Sequence, residues 1–310
     1  MDALKEAVRT YVTAHANPDG LALTPVPGLR MMCVEAPCGD LHSVYRPLVC
    51  LVLQGAKLMT VGREQRTFSA GQSVIVSADM PVVGRILQAS RSEPYLAVAV
   101  ELQMRVLNEL TAHLGGVQPP RPSRTRILFA EDTNAAVLDC ALRLMRLLDR
   151  PEATPLLHDG ITRELHYWLL SGRHGEALRA LAAPTSHASR LGAAIAILRQ
   201  DYRSRIRVEQ LATTAGMSLT AFHKHFKHMT SLTPGQYQKR LRLIEARRLM
   251  LEQGLTATSA ALDVGYESVS QFTREYGRLF KTPPKRDVLR VRGSPHKPNG
   301  AASAGLASRA

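Results

Sequence analysis

The chain has 310 residues, a length that favours two domains. With 45% apolar and 21% charged residues, it is neither a collagen, nor a fully disordered chain, nor an acidic solvating protein. Its net charge of +14 is unevenly distributed along the chain: residues 1–185 contain 19 basic and 18 acidic side chains, whereas residues 186–310 contain 21 basic and 8 acidic ones. A basic part beside a near-neutral one predicts that only the second binds a polyanion.

The first residues, MDALKEAVRTYV, include acidic side chains and no apolar core, which is not typical of a signal peptide. No stretch approaches the roughly 18 uninterrupted apolar residues of a membrane span. Four cysteines are too few for a disulfide scaffold and lack zinc-binding spacing; they are Cys33, Cys38, Cys50 and Cys140. We therefore expect a cytoplasmic protein with reduced thiols, no membrane association, no metal and no cofactor.

Five short apolar runs predict the strands of a small antiparallel sheet or barrel, because each is too short for an average helix. They are separated by turn residues such as Gly55, Gly62 and Gly71. The predicted strands are Leu48 to Leu53, Lys57 to Val61, Ser73 to Val76, Pro81 to Leu87 and Tyr95 to Val100.

After Glu101 the apolar spacing becomes helical. Helices that would close the barrel or pair with a second subunit are predicted over Glu101 to Leu114, Asn134 to Asp149 and Leu156 to Leu170. Small and polar residues predict a linker over 183–190 and a disordered tail over 291–310. The predicted domains are therefore an N-terminal one over 1–182 and a C-terminal one over 191–290.

A pattern that occurs twice in the C-terminal part predicts two helix-turn-helix units. Each copy has one apolar helical face, a glycine, a serine suited to cap the next helix, and an aromatic pair four residues apart. The first copy consists of Val208, Leu211, Ala212, Ala215, Gly216, Ser218, Phe222 and Phe226. The second consists of Ala257, Ala260, Ala261, Val264, Gly265, Ser268, Phe272 and Tyr276.

The second helix of such a unit can lie in the major groove of DNA. Helical hairpins that only stabilise a domain are the alternative, but two copies in a strongly basic part favour DNA binding. The stretch from Pro234 to Gln253 predicts a connecting helix of roughly 28 Å. A helix of that length could hold the two reading helices about one DNA turn, roughly 34 Å, apart.

The sequence resembles the AraC/XylS family of bacterial transcription regulators over nearly its whole length. The C-terminal stretches that carry this resemblance are AGMS from Ala215, FHKHFK from Phe222, TPGQYQKRLRLIEARRLM from Thr233 and VGYESVSQFTREYGRLFKTPP from Val264. The N-terminal ones are YRPLVCLVLQG from Tyr45, GRILQAS from Gly84 and EPYLAVAVEL from Glu93.

The resemblance implies an α+β protein with a cupin-like N-terminal β-barrel, helices used for dimerisation, and an all-α C-terminal domain. It further implies binding to double-stranded promoter DNA, contact with RNA polymerase, and a small-molecule effector that differs between family members. No His-x-His pair begins at His42, so the metal motif of enzymatic cupins is absent.

Matching the family's motif suggests which residues touch DNA, although any of them could instead contact only phosphate. The predicted base-reading residues are Thr220, His223 and Lys224 in the first unit and Val269, Ser270, Thr273 and Arg274 in the second. The predicted phosphate contacts are Ser218, Lys227, Lys239, Ser268, Arg278 and Lys281. Cys50 is a candidate effector or redox residue, with a buried structural thiol as the default.

These features together predict a homodimeric, sequence-specific transcription regulator, an activator rather than a repressor, and not an enzyme. An unknown effector or redox signal would act through the N-terminal domain. Two alternatives stay open: a cupin-type enzyme with an accessory DNA-binding module, and an architectural DNA-binding protein without an effector.

Overall fold

The computed structural model describes residues 1–61, 64–76, 79–114, 128–183 and 186–293. The N-terminal part contains two antiparallel β-sheets with helices beside them, and the described residues of the C-terminal part form helices and no strand. This arrangement confirms the predicted α+β class.

Ten strands follow one another in the described residues of the N-terminal part. They are β1 (Leu21–Leu23), β2 (Leu29–Val34), β3 (Cys38–Tyr45), β4 (Leu48–Gln54), β5 (Ala56–Val61), β6 (Glu64–Ser69), β7 (Gln72–Val76), β8 (Met80–Gln88), β9 (Tyr95–Glu101) and β10 (Leu128–Asp132). One sheet has the order β1-β2-β9-β4-β7-β10 and the other the order β3-β8-β5-β6.

The five predicted strands correspond to β4, β5, β7, β8 and β9 and are confirmed. The prediction missed the other five, and β6 shows one reason: it reads EQRTFS and has a single buried residue, Phe68. Its register against β5 pairs Lys57 with Phe68 and Val61 with Glu64, so the neighbouring strand specifies this element.

The two faces of the six-stranded sheet bury different surfaces. On β4, the side chains of Val49, Leu51 and Leu53 pack with the helices, whereas those of Leu48 and Val52 pack with the second sheet. This alternation follows from the two-residue period of a strand. It places the inner face of each sheet against the other, as in a small barrel or sandwich.

Among the described residues, five α-helices accompany the sheets: α1 (Asp2–His15), α2 (Met104–His113), α3 (Ala135–Arg146), α4 (Thr154–Ser171) and α5 (Gly175–Ala182). The predicted start of α2 at Glu101 is wrong, because Glu101 pairs with Leu48 as the last residue of β9. A 3-10 turn, Leu147–Asp149, extends α3 to the predicted end.

The C-terminal part contains α6 (His187–Gln200), α7 (Val208–Thr214), α8 (Leu219–Thr230), α9 (Pro234–Glu252), α10 (Ala257–Asp263), α11 (Val269–Phe280) and α12 (Pro284–Gly293). The helix pairs α7/α8 and α10/α11 are the two predicted helix-turn-helix units. The predicted connecting helix is α9, which starts with a capping box formed by Thr233 and Gln236.

Two predicted irregular segments are partly helical. Ser186 caps α6, so 187–190 of the predicted linker lie in that helix, whose Leu191 and Ala194 are buried; 184–185 lie outside the described residues. Residues 291–293 belong to α12, and the rest of the predicted disordered tail lies outside the described residues. Among the described helices, none combines the length and the apolar character needed to cross a bilayer.

Candidate nucleic-acid interface

The first helix-turn-helix unit is held together by a glycine turn, a serine cap and buried aromatic rings. Gly216 adopts a φ of +58° between α7 and α8. The Ser218 hydroxyl then accepts a hydrogen bond from the Ala221 amide at 3.3 Å and caps α8. Phe222 and Phe226 are completely buried, so the opposite face of α8 points outward.

The second unit uses the same devices, with one more residue in the turn between its two helices. Gly265 has a φ of +87°, and a Cβ there would lie 2.1 Å from the Arg203 carbonyl oxygen. The Ser268 hydroxyl accepts from the Gln271 amide at 3.2 Å. Phe272 and Tyr276 are completely buried, so α11 is oriented as α8 is.

The predicted base-reading residues lie on the outward faces of α8 and α11. Six of them are exposed with the N-terminal domain in place: Thr220, His223, Lys224, Ser270, Thr273 and Arg274. Val269 is half-buried and packs against the apolar core of its unit. The Thr273 hydroxyl donates to the Val269 carbonyl at 2.9 Å, which leaves its oxygen as an acceptor.

The side chains predicted to contact phosphate differ in their exposure and in whether they already have a partner. Lys227, Arg278 and Lys281 are exposed. Lys239 forms an ion pair with Glu275 at 2.8 Å, so a phosphate would have to compete with a carboxylate for its ammonium group. Ser218 and Ser268 act as helix caps in this structure.

A buried carboxylate that the sequence did not predict organises the second unit. Asp287 on α12 is 1% exposed and accepts hydrogen bonds from Arg247 Nε at 2.8 Å and Tyr276 Oη at 2.8 Å. The sequence does contain a signal for this carboxylate. Tyr276 occupies the position that Phe226 has in the first copy, and a buried tyrosine hydroxyl needs a hydrogen-bond partner.

The same arginine joins the two domains. Arg247 Nη1 donates to an oxygen of Asp19, between α1 and β1, at 2.6 Å, so its guanidinium bridges the N-terminal part to α12. A second ion pair between the domains connects Asp79 to Arg199 on α6. The C-terminal helices are thus attached to the N-terminal part by side chains as well as by the main chain.

A third contact between the domains involves a histidine. The ring of His42 on β3 meets that of Phe280 edge to face at a centroid distance of 5.2 Å. Burial, more than any other effect, lowers the pKa of His42 to about 4, and nearby charges modify the shift. Those charges are Arg240, Arg247 and Lys281, which lower the pKa further, and Asp40, which raises it.

This contact predicts a loss of stability in mild acid. Folded His42 titrates near pH 4 but unfolded His42 near its ordinary value, so the unfolded state binds more protons between the two. Its contribution is therefore complete above pH about 6.5 and decreases as the pH falls toward 4. His42→Phe keeps an aromatic ring and removes the titration. We expect its free energy of unfolding to vary less with pH than that of the unmodified chain, and an identical slope would contradict the assignment.

Cys50 lies on the inner face of β4 with no disulfide partner. Burial raises the pKa of its thiol. A protonated thiol is a poor nucleophile, which fits the structural interpretation better than the redox one. Its role as an effector or redox residue stays a prediction.

A cleft of about 760 Å³ lies between the two domains. Its charged side chains are already paired: Arg46 with Glu101 at 3.4 Å, and Arg199 with Asp79. The cleft therefore has no uncompensated charge among these four groups.

Comparisons with known proteins match both parts. The sequence model of the AraC-type transcriptional regulator N-terminus matches residues 25–177, and a helix-turn-helix domain model matches residues 211–288. The HTH-type transcriptional activator RhaS of Escherichia coli is 31% identical over 105 residues, which cover 34% of this chain and 37% of RhaS. The chain thus spans little more than a third of the length of this relative.

Solved structures of ToxT from Vibrio cholerae share the fold across both domains. One of ToxT aligns with a TM-score of 0.55 at 9% identity, over 86% of this chain and 97% of ToxT. Another, bound to an unsaturated fatty acid, aligns with a TM-score of 0.56 at 10% identity, over 87% of this chain and 96% of ToxT.

A two-sheet N-terminal domain followed by paired helix-turn-helix units defines a DNA-binding transcription regulator. The chain belongs to the AraC/XylS family of these regulators and has an AraC-type N-terminal domain.

Proposed function

We propose that this protein binds promoter DNA sequence-specifically through α8 and α11 and activates transcription in response to a small effector. The observation that carries the proposal is the duplicated unit: two glycine turns and two serine caps present exposed polar side chains within one basic domain. Reading helices spaced by one helix, α9, suit two successive major-groove segments.

Arg274 is the residue we expect to contribute most to sequence preference. Its guanidinium is exposed on α11, and it forms no ion pair with any described residue. A guanidinium can donate two hydrogen bonds to guanine. Arg274→Ala should therefore cost about 1–3 kcal/mol of binding to the preferred site and relax the preference at one base position. Selection of bound sequences from random DNA measures both effects.

Lys281→Ala is the matched contrast, because Lys281 ends α11 in an exposed position. As a phosphate contact it should leave the selected sequence unchanged and reduce the slope of log affinity against log salt by about one unit. Uniform weakening by Arg274→Ala across all sequences would reassign Arg274 to phosphate, and an unchanged slope would remove Lys281 from the interface.

The other predicted contacts are proposed on the same basis. Thr220, His223, Lys224, Val269, Ser270 and Thr273 would read bases, and Ser218, Lys227, Lys239, Ser268 and Arg278 would meet phosphates. Arg278 and Lys227 have the exposure that a phosphate contact needs, whereas Lys239 must first leave Glu275.

The effector would act through the N-terminal domain, here proposed to span residues 1–182. ToxT has been solved with an unsaturated fatty acid bound, and the two chains share a fold. The ion pairs of Asp79 with Arg199 and of Asp19 with Arg247 offer a physical route, because a ligand that shifts either acidic residue changes how the DNA-binding part is held.

Activation and dimerisation complete the proposal. RhaS is a transcriptional activator, and this chain would activate transcription by contacting RNA polymerase in the cytoplasm.

A second subunit could cover the start of α4, where Leu156 is 82% and Leu157 52% exposed. Sedimentation of the full chain with and without Leu156→Glu tests that surface, and an unchanged oligomeric state would exclude it.

A further inference from the structure

Lys57 lies between the two sheets, and its ammonium group has no carboxylate partner among the residues that the structure describes. The residue is 5% exposed on β5. Its Nζ donates to Tyr45 Oη at 2.9 Å and lies 3.9 Å from Met32 Sδ, a weak acceptor. Within the described part of the chain no Asp or Glu forms an ion pair with it. An ammonium group has three donors, so this one is left with unused hydrogen-bonding capacity in an apolar interior.

The position of the lysine side chain depends on a neighbouring glycine. A Cβ at Gly84 on β8 would lie 2.4 Å from Lys57 Cε and 3.0 Å from Nζ. Gly84 is not among the glycines with a positive φ, so its backbone conformation does not require glycine. The missing side chain instead leaves room for the lysine.

The inner face of the larger sheet retains accessible surface. Cys50 on β4 and Ala99 on β9 are paired in the middle of that sheet, yet both are only partly buried. Strands flank β4 and β9 on both sides, so this surface faces the space between the sheets. Apolar side chains from the other sheet also face that space: Met59, Phe68, Val82 and Ile86.

We propose that this space binds a small molecule with an apolar body and one carboxylate, and that the carboxylate pairs with Lys57. The Tyr45 hydroxyl, whose oxygen accepts from Lys57, keeps its own hydrogen to donate to the same carboxylate. One ammonium and one hydroxyl suit the two oxygens of a carboxylate, whereas a phosphate dianion would need more positive charge. The proposal rests on the proposed function in taking the N-terminal domain as the effector-binding part.

The charges elsewhere favour this position over the cleft between the domains. In the cleft Arg46 is paired with Glu101 and Arg199 with Asp79. An incoming anion would compete there with carboxylates that already pair with the arginines, whereas at Lys57 it would compete with no carboxylate of the described residues. A buried ammonium without a counter-ion is costly, and a bound carboxylate removes that cost.

Titration calorimetry on the full chain tests the proposal with hexanoate and benzoate as probes, and with hexan-1-ol and benzyl alcohol as their neutral counterparts. We expect the carboxylates to bind more tightly than the alcohols. Lys57→Met should weaken carboxylate binding about 10- to 100-fold, with no effect on the alcohols. Tyr45→Phe should weaken it about fivefold. Lys5→Met, on α1 of the same domain, is the control and should change nothing.

Folding of the variants is checked by thermal unfolding followed through Trp168. Because methionine replaces a buried charge, Lys57→Met should unfold at the same temperature as the unmodified chain or at a higher one. Equal carboxylate affinity in Lys57→Met, equal affinity for alcohols and carboxylates, or no saturable carboxylate binding would each overturn the proposal. Selection from random DNA, run on the same proteins, separates the two proposals. If the protein selects no DNA sequence but still binds carboxylates in a Lys57-dependent way, only the proposed function as a sequence-specific regulator is overturned.

Discussion

Replacing Asp287 by alanine should destabilise the DNA-binding domain by about 3–5 kcal/mol, because it leaves buried partners of a charge network unpaired. Tyr276, completely buried, would lose the carboxylate to which its hydroxyl donates, and Arg247 would lose one of the two carboxylates that it contacts. The effect should be confined to α9, α11 and α12. Hydrogen exchange resolved by peptide should show these helices opening more readily.

The single tryptophan provides an internal reference for this experiment. Trp168 lies on α4 in the N-terminal part, so its fluorescence reports a domain that Asp287 does not belong to. Asp263→Ala is the control: Asp263 is half exposed and 3.9 Å from Arg203, and such a surface pair contributes about 0–1 kcal/mol. Equal losses of stability for Asp287→Ala and Asp263→Ala would contradict the prediction that the buried charge network stabilises this domain.

Replacing Gly265 by alanine should cost about 2–4 kcal/mol, since it adds left-handed backbone strain to a collision with a main-chain oxygen. The Cβ would lie 2.1 Å from the Arg203 carbonyl oxygen, which belongs to backbone and cannot rotate away. The turn before α11 would shift, and binding to the preferred DNA site should weaken with stability. Chemical denaturation followed by circular dichroism and DNA binding of the same samples measure the two effects.

Two other glycines are matched controls. Gly277 lies within α11 with nothing within 4 Å of an added Cβ, so Gly277→Ala should stabilise by about 0.5–1 kcal/mol through helix propensity. Gly216 has a positive φ, but an added Cβ would meet the flexible end of Arg190, so Gly216→Ala should cost less than Gly265→Ala. Similar costs at Gly216 and Gly265 would show that the collision with Arg203 is unimportant.

The sequence-based predictions were most accurate where neighbouring residues of one segment determine its structure. The serine caps, the glycine turns and the aromatic pairs of the two units act over three to eleven residues, and all occur as expected. The predicted start of α2 failed because Glu101 is held by β4, more than 40 residues earlier, and no helical pattern in its own segment reveals such a partner.

The sequence by itself determined the class of protein, the duplicated helix-turn-helix unit and the outward faces of α8 and α11, because periodicity and capping depend on neighbouring residues. Only the tertiary structure decided which charges are paired. Arg247 meets Asp19 from 228 positions away, and Lys57 meets no carboxylate at all within the described residues. Ion pairing depends on distances of a few ångströms between segments that folding brings together. The sequence alone therefore does not show whether a basic side chain is paired with a carboxylate.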